Sequence, residues 1–462
     1  MIRTAPATAA RPLARSRAGF LYLMFPAMLL VGAVAVLLSN RDMTQAFLAL
    51  EQSAESIVDP VQNPIVMWLQ RGVSLLLIAA SLERLATHFG EQRVVPSLSL
   101  TGTFLLFWLT TVLAPGLLGA HPILTHEYAY SLLFGLAATL TFPEDRENIL
   151  TASRSALFVF MLAGLVLVPI NPTLVLDSSY SQGLLPGVPR FAGLGTHPVM
   201  MGMLTQTALL LLWARPFERR WLTVCAWILG LTVLFLAQSK TAWLAFLISA
   251  SCMVLVRKAP DSLDKLGDPR ASSFGVLLLV GVIAAAVALL VGVVVFDVPG
   301  LVDDFLGTSE GAQLTSLTGR DRIWVVAMEE WRNNPVFGYG PALWNSEYRQ
   351  AIGIPNATHG HNQMIDTLAR CGTVGAIGLV CYAAVLLVLS LRFARATQGL
   401  SLAMFLTLAL LSVSEVPLLM EGYGPAVFTH LLLVVTLAGT AAERRRHRVA
   451  LDPIEPTLRT AS

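Results

Sequence analysis

The chain is built from apolar runs of about 17 residues or more, separated by short polar stretches, and that is the length an α-helix needs to cross a bilayer. The runs fall near 20–38, 65–82, 98–119, 126–142, 155–171, 198–214, 221–237, 242–256, 274–296, 372–391, 398–416 and 425–441. The expected fold is an all-α polytopic membrane protein of about twelve transmembrane helices. Composition agrees: 55% of the residues are hydrophobic and 13% charged, too little charge to cover a soluble protein of this size. The first run follows Arg3, Arg11, Arg15 and Arg17 and has no small-residue cleavage signature behind it, which reads as a retained span. Of the four cysteines, Cys225, Cys252 and Cys381 lie in apolar segments and read as buried thiols; with Cys371 they form no CxxC pair.

Lysine and arginine bias the loops that carry them toward the cytoplasm. With the N-terminus inside, the inner segments hold Arg84 and Arg93, Arg146 and Arg154, Arg215, Arg219 and Arg220, Arg257, Lys258, Lys265 and Arg270, and Arg392 and Arg395. The tail adds Arg444, Arg445, Arg446, Arg448 and Arg459, so both termini are expected in the cytoplasm. The cations left on or near the outer side are Arg41, Arg71, Arg190, Lys240, Arg320, Arg322, Arg332, Arg349 and Arg370. The bias selects against them there. Arg41, Arg332 and Arg349 read as solvated loop charges. Arg71 lies within an apolar span and reads as either paired or functional.

The expected organisation is spans one to nine over 1–296, a loop over 297–371, spans ten to twelve over 372–441, and a basic tail over 442–462. The stretch 257–273 reads as a flexible linker. Among the outer connections 39–64, 172–197 and 297–371 are long, and the last is long enough to be a small functional domain.

Within that loop Ile323, Trp324, Ala327, Met328 and Trp331 share one helical face, after Thr318 as a plausible N-cap and before Asn333-Asn334-Pro335. The helix is expected to lie on the membrane surface with its tryptophans down. Arg320 and Arg322 then flank a helix N-terminus, where free N–H groups and fixed charge suit a phosphate or diphosphate; the plainer reading is a pair of solvated arginines. Thr358-His359-Gly360-His361-Asn362 precedes a short helix with Met364, Ile365 and Leu368 on its apolar side and a stop at Gly372. A histidine at a helix start is biased neutral and can act as a general base. The alternatives are zinc, for which HxH lacks further ligands nearby, and ordinary hydrogen-bonding loop histidines.

Arg190 and Lys240 sit at outer span ends, where each either meets lipid headgroups or contributes to a site. Glu415 and Glu421 flank Pro417 in the last outer turn and could pair with the surplus cations. Asp42 has no companion acid and Asp303-Asp304 stands alone, so no divalent metal is indicated.

The segments RFAGLGTHP (190–198), SKTAW (239–243), TGRDRIW (318–324), NPVFGYG (334–340) and HGHNQMIDTLARCGTVG (359–375) together resemble the O-antigen polymerase and ligase superfamily of bacterial membrane glycosyltransferases. The resemblance covers roughly 185–390 and is closest in wording to exopolysaccharide polymerases. It implies a GT-C-like arrangement of helices with a partly helical periplasmic loop between spans nine and ten. It also implies transfer of a glycan from undecaprenyl diphosphate at the outer face of the bacterial inner membrane. Two outer arginines and a histidine carry that reaction in the family; by position they are Arg190, Arg320 and His361. Arg322 and Lys240 become further diphosphate contacts, and His359, Asn362, Glu415 and Arg71 supporting residues. Lys240 departs from the arginine often found there and offers a point charge in place of a bidentate fork.

The residues' own chemistry runs the same way. Fixed cations stabilise a departing diphosphate, and a neutral histidine takes the proton of the attacking hydroxyl, with inversion and without metal or cofactor. The implied partners are the lipid-linked donor, a glycan acceptor, the bilayer, and polysaccharide export or chain-length proteins, with no nucleic acid. A polymerase extends a lipid-linked repeat unit; a ligase caps a lipid A core or a protein. A lipid-glycan transporter is the remaining class, but the polar residues gather at the outer edge and not in matched halves at the midplane.

Overall fold

The computed structural model describes residues 19–39, 41–46, 63–179, 187–265, 320–355 and 357–451. The expected ninth span (274–296), Thr318 and the tail after 451 lie outside these.

The protein is an all-α polytopic membrane protein. Among the described residues its main helices are α1 (Phe20–Leu38), α2 (Pro64–Gly90), α3 (Leu98–Leu118), α4 (Glu127–Thr139), α5 (Pro143–Val166), α6 (Pro198–Ala214), α7 (Arg220–Leu236), α8 (Lys240–Lys265), α9 (Arg320–Asn333), α10 (Ser346–Ala351), α11 (Gln363–Phe393), α12 (Leu400–Leu411) and α13 (Phe428–Leu451). Seven of them are long and apolar enough to cross a membrane, namely α1, α2, α3, α5, α8, α11 and α13, and α6, α7 and α12 are shorter apolar helices. The starts follow local chemistry. Asn63, Ser97, His197, Asn345 and Asn362 cap helices with a side-chain acceptor, and Pro64, Pro143 and Pro198 occupy first-turn positions where no N–H is needed.

The bundle closes around α13, whose apolar window is 89% buried, with α6 almost wholly buried beside it. At the start of α5 Arg84 and Asp145 form a buried pair at 2.6 Å, and Asp145 also accepts the Gly19 N–H at 3.0 Å. Arg146 bridges Glu147 and Glu443, so the last helix is tied to α5 across the whole chain. Helix α8 continues to Lys265, through part of the expected linker. Cys225 and Cys381 are exposed on the outside of their helices rather than buried. An apolar run fixes membrane depth, but not which face of the helix meets lipid.

Residues 320–371 form a cap with its own small core of Ile323, Ala327, Leu343, Trp344, Ile354, Ala357 and Ala369. This corrects the expected surface-lying α9. Its apolar face packs on protein, Trp324 donates to Gly360 O at 2.8 Å, and Trp331 donates to Thr373 Oγ1 at 3.2 Å.

The cap is joined to the bundle through a kink in α11. Gly372 has φ 64° and ψ −166° inside an otherwise continuous helix. The break frees backbone groups, and the NPVFGYG segment takes them: Tyr339 N donates to Ala369 O and Gly340 N to Arg370 O, while Thr373 N donates to Pro335 O and Val374 N to Val336 O. A methyl at 372 would lie 2.3 Å from Val336 O, so both the dihedral and the close approach require glycine.

Candidate active site

Three separate segments converge at the end of the bundle that carries the cap. The start of α9 supplies Arg320, the loop before α11 supplies His359 and His361, and the turn after α12 supplies Glu415. Arg320 Nη2 lies 3.5 Å from Glu415 Oε1. His359 Nε2 and His361 Nδ1 approach the other oxygen, Oε2, at 3.4 and 3.8 Å. Asn362 caps α11 by accepting from Met364 N and Ile365 N, and its Nδ2 donates to Val413 O, which fastens the histidine loop to the turn that carries Glu415.

The two histidines are not equivalent. The His361 backbone N–H donates to His359 Nδ1 at 3.1 Å, so neutral His359 carries its proton on Nε2, facing Glu415. Its basic nitrogen is already used. Burial, and then the neighbouring His361, push His359 down to about 3 against the opposing pull of Glu415. His361 is partly exposed and has Nδ1 toward the carboxylate, which leaves its Nε2 on the side away from Glu415. His361 also holds φ at 47°, a left-handed conformation costing about 1–2 kcal/mol for a residue with a Cβ. Burial disfavours ionised Glu415. The neighbouring His361, His359 and Arg320 outweigh it, and the carboxyl is held below its usual range.

The other outer cations frame this centre. Arg190 lies on strand β2 (Arg190–Phe191), which pairs antiparallel with β1 (Leu176–Asp177), and is buried with Nε toward Ala237 O at 3.4 Å. Gln238 Nε2 donates to Val188 O at 2.8 Å, tying that strand to the α7–α8 turn. Lys240 opens α8 and is exposed; beside it Thr241 Oγ1 accepts from Ser414 Oγ at 3.2 Å, next to Glu415. Arg322 is exposed one turn edge away from Arg320. Arg71 is placed elsewhere: it is exposed on α2, 4.9 Å from the Trp68 ring, on a helix that packs against α1 and α4.

His197 and Asp366, which sequence reasoning passed over, also belong here, as do Arg41 and Arg370, which it had counted only among the surplus cations. His197 caps α6 through Nδ1, and burial together with Arg190, His361, Arg320 and Arg41 holds it down at about 3. Its only signal is the His-Pro pair at a span start. Arg41, expected as a solvated charge, instead donates to the carbonyls of Leu174, Gly193 and Gly195 and so ties Leu174 to the turn before α6. Asp366 and Arg370 form a buried pair at 3.2 Å, and Arg370 also pairs with Glu421. An acid four residues before an arginine at a span entrance was the available signal.

The ligand atoms of His359, His361 and Glu415 lie within 4.8 Å of one another. The tertiary fold therefore supplies the third ligand that HxH lacks in the sequence. A divalent ion at that point would face the Arg320 guanidinium, which already balances the carboxylate.

A family model described as O-antigen ligase matches residues 225–380. That stretch contains Lys240, Arg320, His359 and His361; Arg190 and Glu415 lie outside it. A comparison with curated proteins found no match.

Proposed function

We propose, for a chain whose residues 225–380 match a family model described as O-antigen ligase, that it is a polysaccharide polymerase of the O-antigen polymerase and ligase superfamily. It transfers a growing glycan from undecaprenyl diphosphate to a lipid-linked repeat unit at the outer face of the bacterial inner membrane. The observation that carries this reading is the convergence of Arg320, His359 and His361 on the single carboxylate of Glu415.

The chemistry follows from that geometry. The acceptor hydroxyl oxygen attacks the anomeric carbon of the donor glycan, and its proton passes to His361 Nε2. The bond from that carbon to the diphosphate oxygen breaks, and the electron pair leaves with the diphosphate. Arg320, Arg190 and Lys240 stabilise the charge that grows on the leaving group. Glu415 orients His361 and stabilises the imidazolium that forms, as a carboxylate does for a catalytic histidine in general. One displacement inverts the anomeric centre. The step uses no metal and no cofactor. A hydrophobic bundle with Arg190, Lys240, Arg320 and the two histidines at its cap end suits a donor whose polyprenyl chain stays in lipid while its diphosphate reaches the cap.

The matched family's description, O-antigen ligase, favours a second reading in which the acceptor is a lipid A core or a protein. The wording of TGRDRIW and GYGPALW supports the polymerase. The glycan profile of a deletion strain tests the choice. Loss of long polymer with single repeat units still made is the expected result; polymer accumulating on its lipid carrier means ligase. Normal polymer in that strain overturns both.

A further inference from the structure

We infer that Asp366 and Trp324 are positioning residues that grip the Gly360 peptide from both sides and so hold the two histidines in register with Arg320. This rests on the reading of the Arg320–His359–His361–Glu415 cluster as the reaction centre, but not on what its acceptor is.

Gly360 stands between the histidines, and each of its backbone groups has a partner from a different element. Its N–H donates to Asp366 Oδ1 at 2.7 Å, from the first turn of α11. Its carbonyl accepts from Trp324 Nε1 at 2.8 Å, from the helix that begins with Arg320. The approach leaves no room for a side chain: a methyl at 360 would come within 2.9 Å of Asp366 Cβ and 3.1 Å of its Cα. A loop gripped in this way can hold His361 at its positive φ and keep His361 N–H on His359 Nδ1.

Asp366 is itself immobile. It is 1% exposed, and its Oδ1 also accepts from Trp344 Nε1 at 2.8 Å, while Oδ2 faces Arg370 Nε at 3.2 Å. Arg370 in turn pairs with Glu421, in the same turn as Glu415. The chain of contacts therefore runs from the cap through α11 to the turn carrying the carboxylate. A buried carboxylate is costly unless several donors satisfy it, and here its donors come from the loop, the cap core and α11. The result is that Arg320, the histidines and Glu415 move as one body.

The test uses purified full-length protein in nanodiscs, with a synthetic undecaprenyl-diphosphate-linked repeat unit and, separately, carbethoxylation of histidines by diethylpyrocarbonate followed by mass spectrometry. Trp324→Phe and Asp366→Ala are expected to lower kcat about 10- to 100-fold with donor KM changed less than about two-fold, because small displacements of reacting groups are that costly. Both should speed modification of His361 at least about three-fold as the loop loosens. Asp366→Asn keeps an acceptor for Gly360 and is expected to recover most of both losses. Ile354→Ala weakens the cap core without touching the grip and is expected to lower Tm while leaving kcat and the modification rate near wild type. Unchanged modification in both Trp324→Phe and Asp366→Ala overturns the inference, as does faster modification with unaltered kcat. An active His361→Ala enzyme overturns the catalytic reading instead, and the modification rates separate the two failures because they do not depend on turnover.

Discussion

His359 Nε2 lies 3.4 Å from Glu415 Oε2, although the two residues are separated in the chain by the whole of α11 and α12. The same oxygen is the neighbour of His361 Nδ1, and the other oxygen of that carboxylate is the neighbour of Arg320. One carboxylate thus stands among three other ionisable side chains.

Glu415→Gln keeps the shape of the side chain and removes its charge. Turnover is expected to fall about 10- to 100-fold at normal protein level, since the imidazolium formed at His361 loses its counter-charge. Initial rates of polymer formation by the purified protein check this, and a wild-type rate removes Glu415 from the mechanism.

Arg320→Ala and His361→Ala are expected to abolish polymer formation, each by at least about 100-fold, with protein abundance unchanged. Arg320→Lys should recover little, because an ammonium cannot reproduce a planar fork on carboxylate and diphosphate together. Gel profiles of cell-surface glycan report the outcome; wild-type chain lengths in either alanine variant count against the site.

Acid should weaken the folded outer end in a defined direction. His197 and His359 have folded values near 3 against 6.5 for an ordinary histidine, so as pH falls protons bind the unfolded chain first. Stability from keeping them neutral is fully present above about 6.5 and is lost progressively toward 3. Thermal unfolding between pH 7 and pH 4 should show a falling Tm, with a shallower slope in His359→Gln and His197→Gln. A slope identical to wild type in both variants contradicts the assignment.

Gly372→Ala forces a Cβ into a left-handed position 2.3 Å from Val336 O. The cost is expected to be about 1–3 kcal/mol, borne by the joint between cap and bundle. A lowered Tm with faster exchange of the Tyr339 and Gly340 amides is the measurable consequence.

Two further measurements bear on mechanism and orientation. Activity is expected to persist in EDTA, and a chelator-sensitive, metal-rescued reaction contradicts the metal-free step. Gln350 is exposed on α10, so Gln350→Cys is expected to react with an impermeant thiol reagent added from outside the membrane. Protection there inverts the topology.

Much of this architecture was legible from residue order alone. Apolar run length made the membrane class and the rough places of the apolar helices legible, because a bilayer imposes a common length on its spans, while the ends were not: the helix expected over 155–171 begins at Pro143. The histidine pair, Arg320 and Asn362 were visible as a helix start, and Gly372 as its interruption, since capping and kinking depend on a few adjacent residues. Face was not legible. Cys225 and Cys381 looked like core residues and point outward, and the tryptophan side of α9 looked lipid-facing and packs on the cap. Within a membrane the lipid side and the core side are both apolar, so periodicity cannot tell them apart.

The sequence by itself determined membrane residence and an all-α fold, and it singled out the arginines, the lysine and the histidines on which the proposed site rests. Only the tertiary structure decided which of them meet: Glu415 between Arg320 and the histidines, His197 and Arg41 behind Arg190's loop, Asp366 under Gly360, and Arg71 on a different helix face. Local sequence encodes hydrogen bonds within a turn and the depth of a span, whereas contacts between residues distant in the chain follow from how helices pack, and that is set by the whole apolar surface at once.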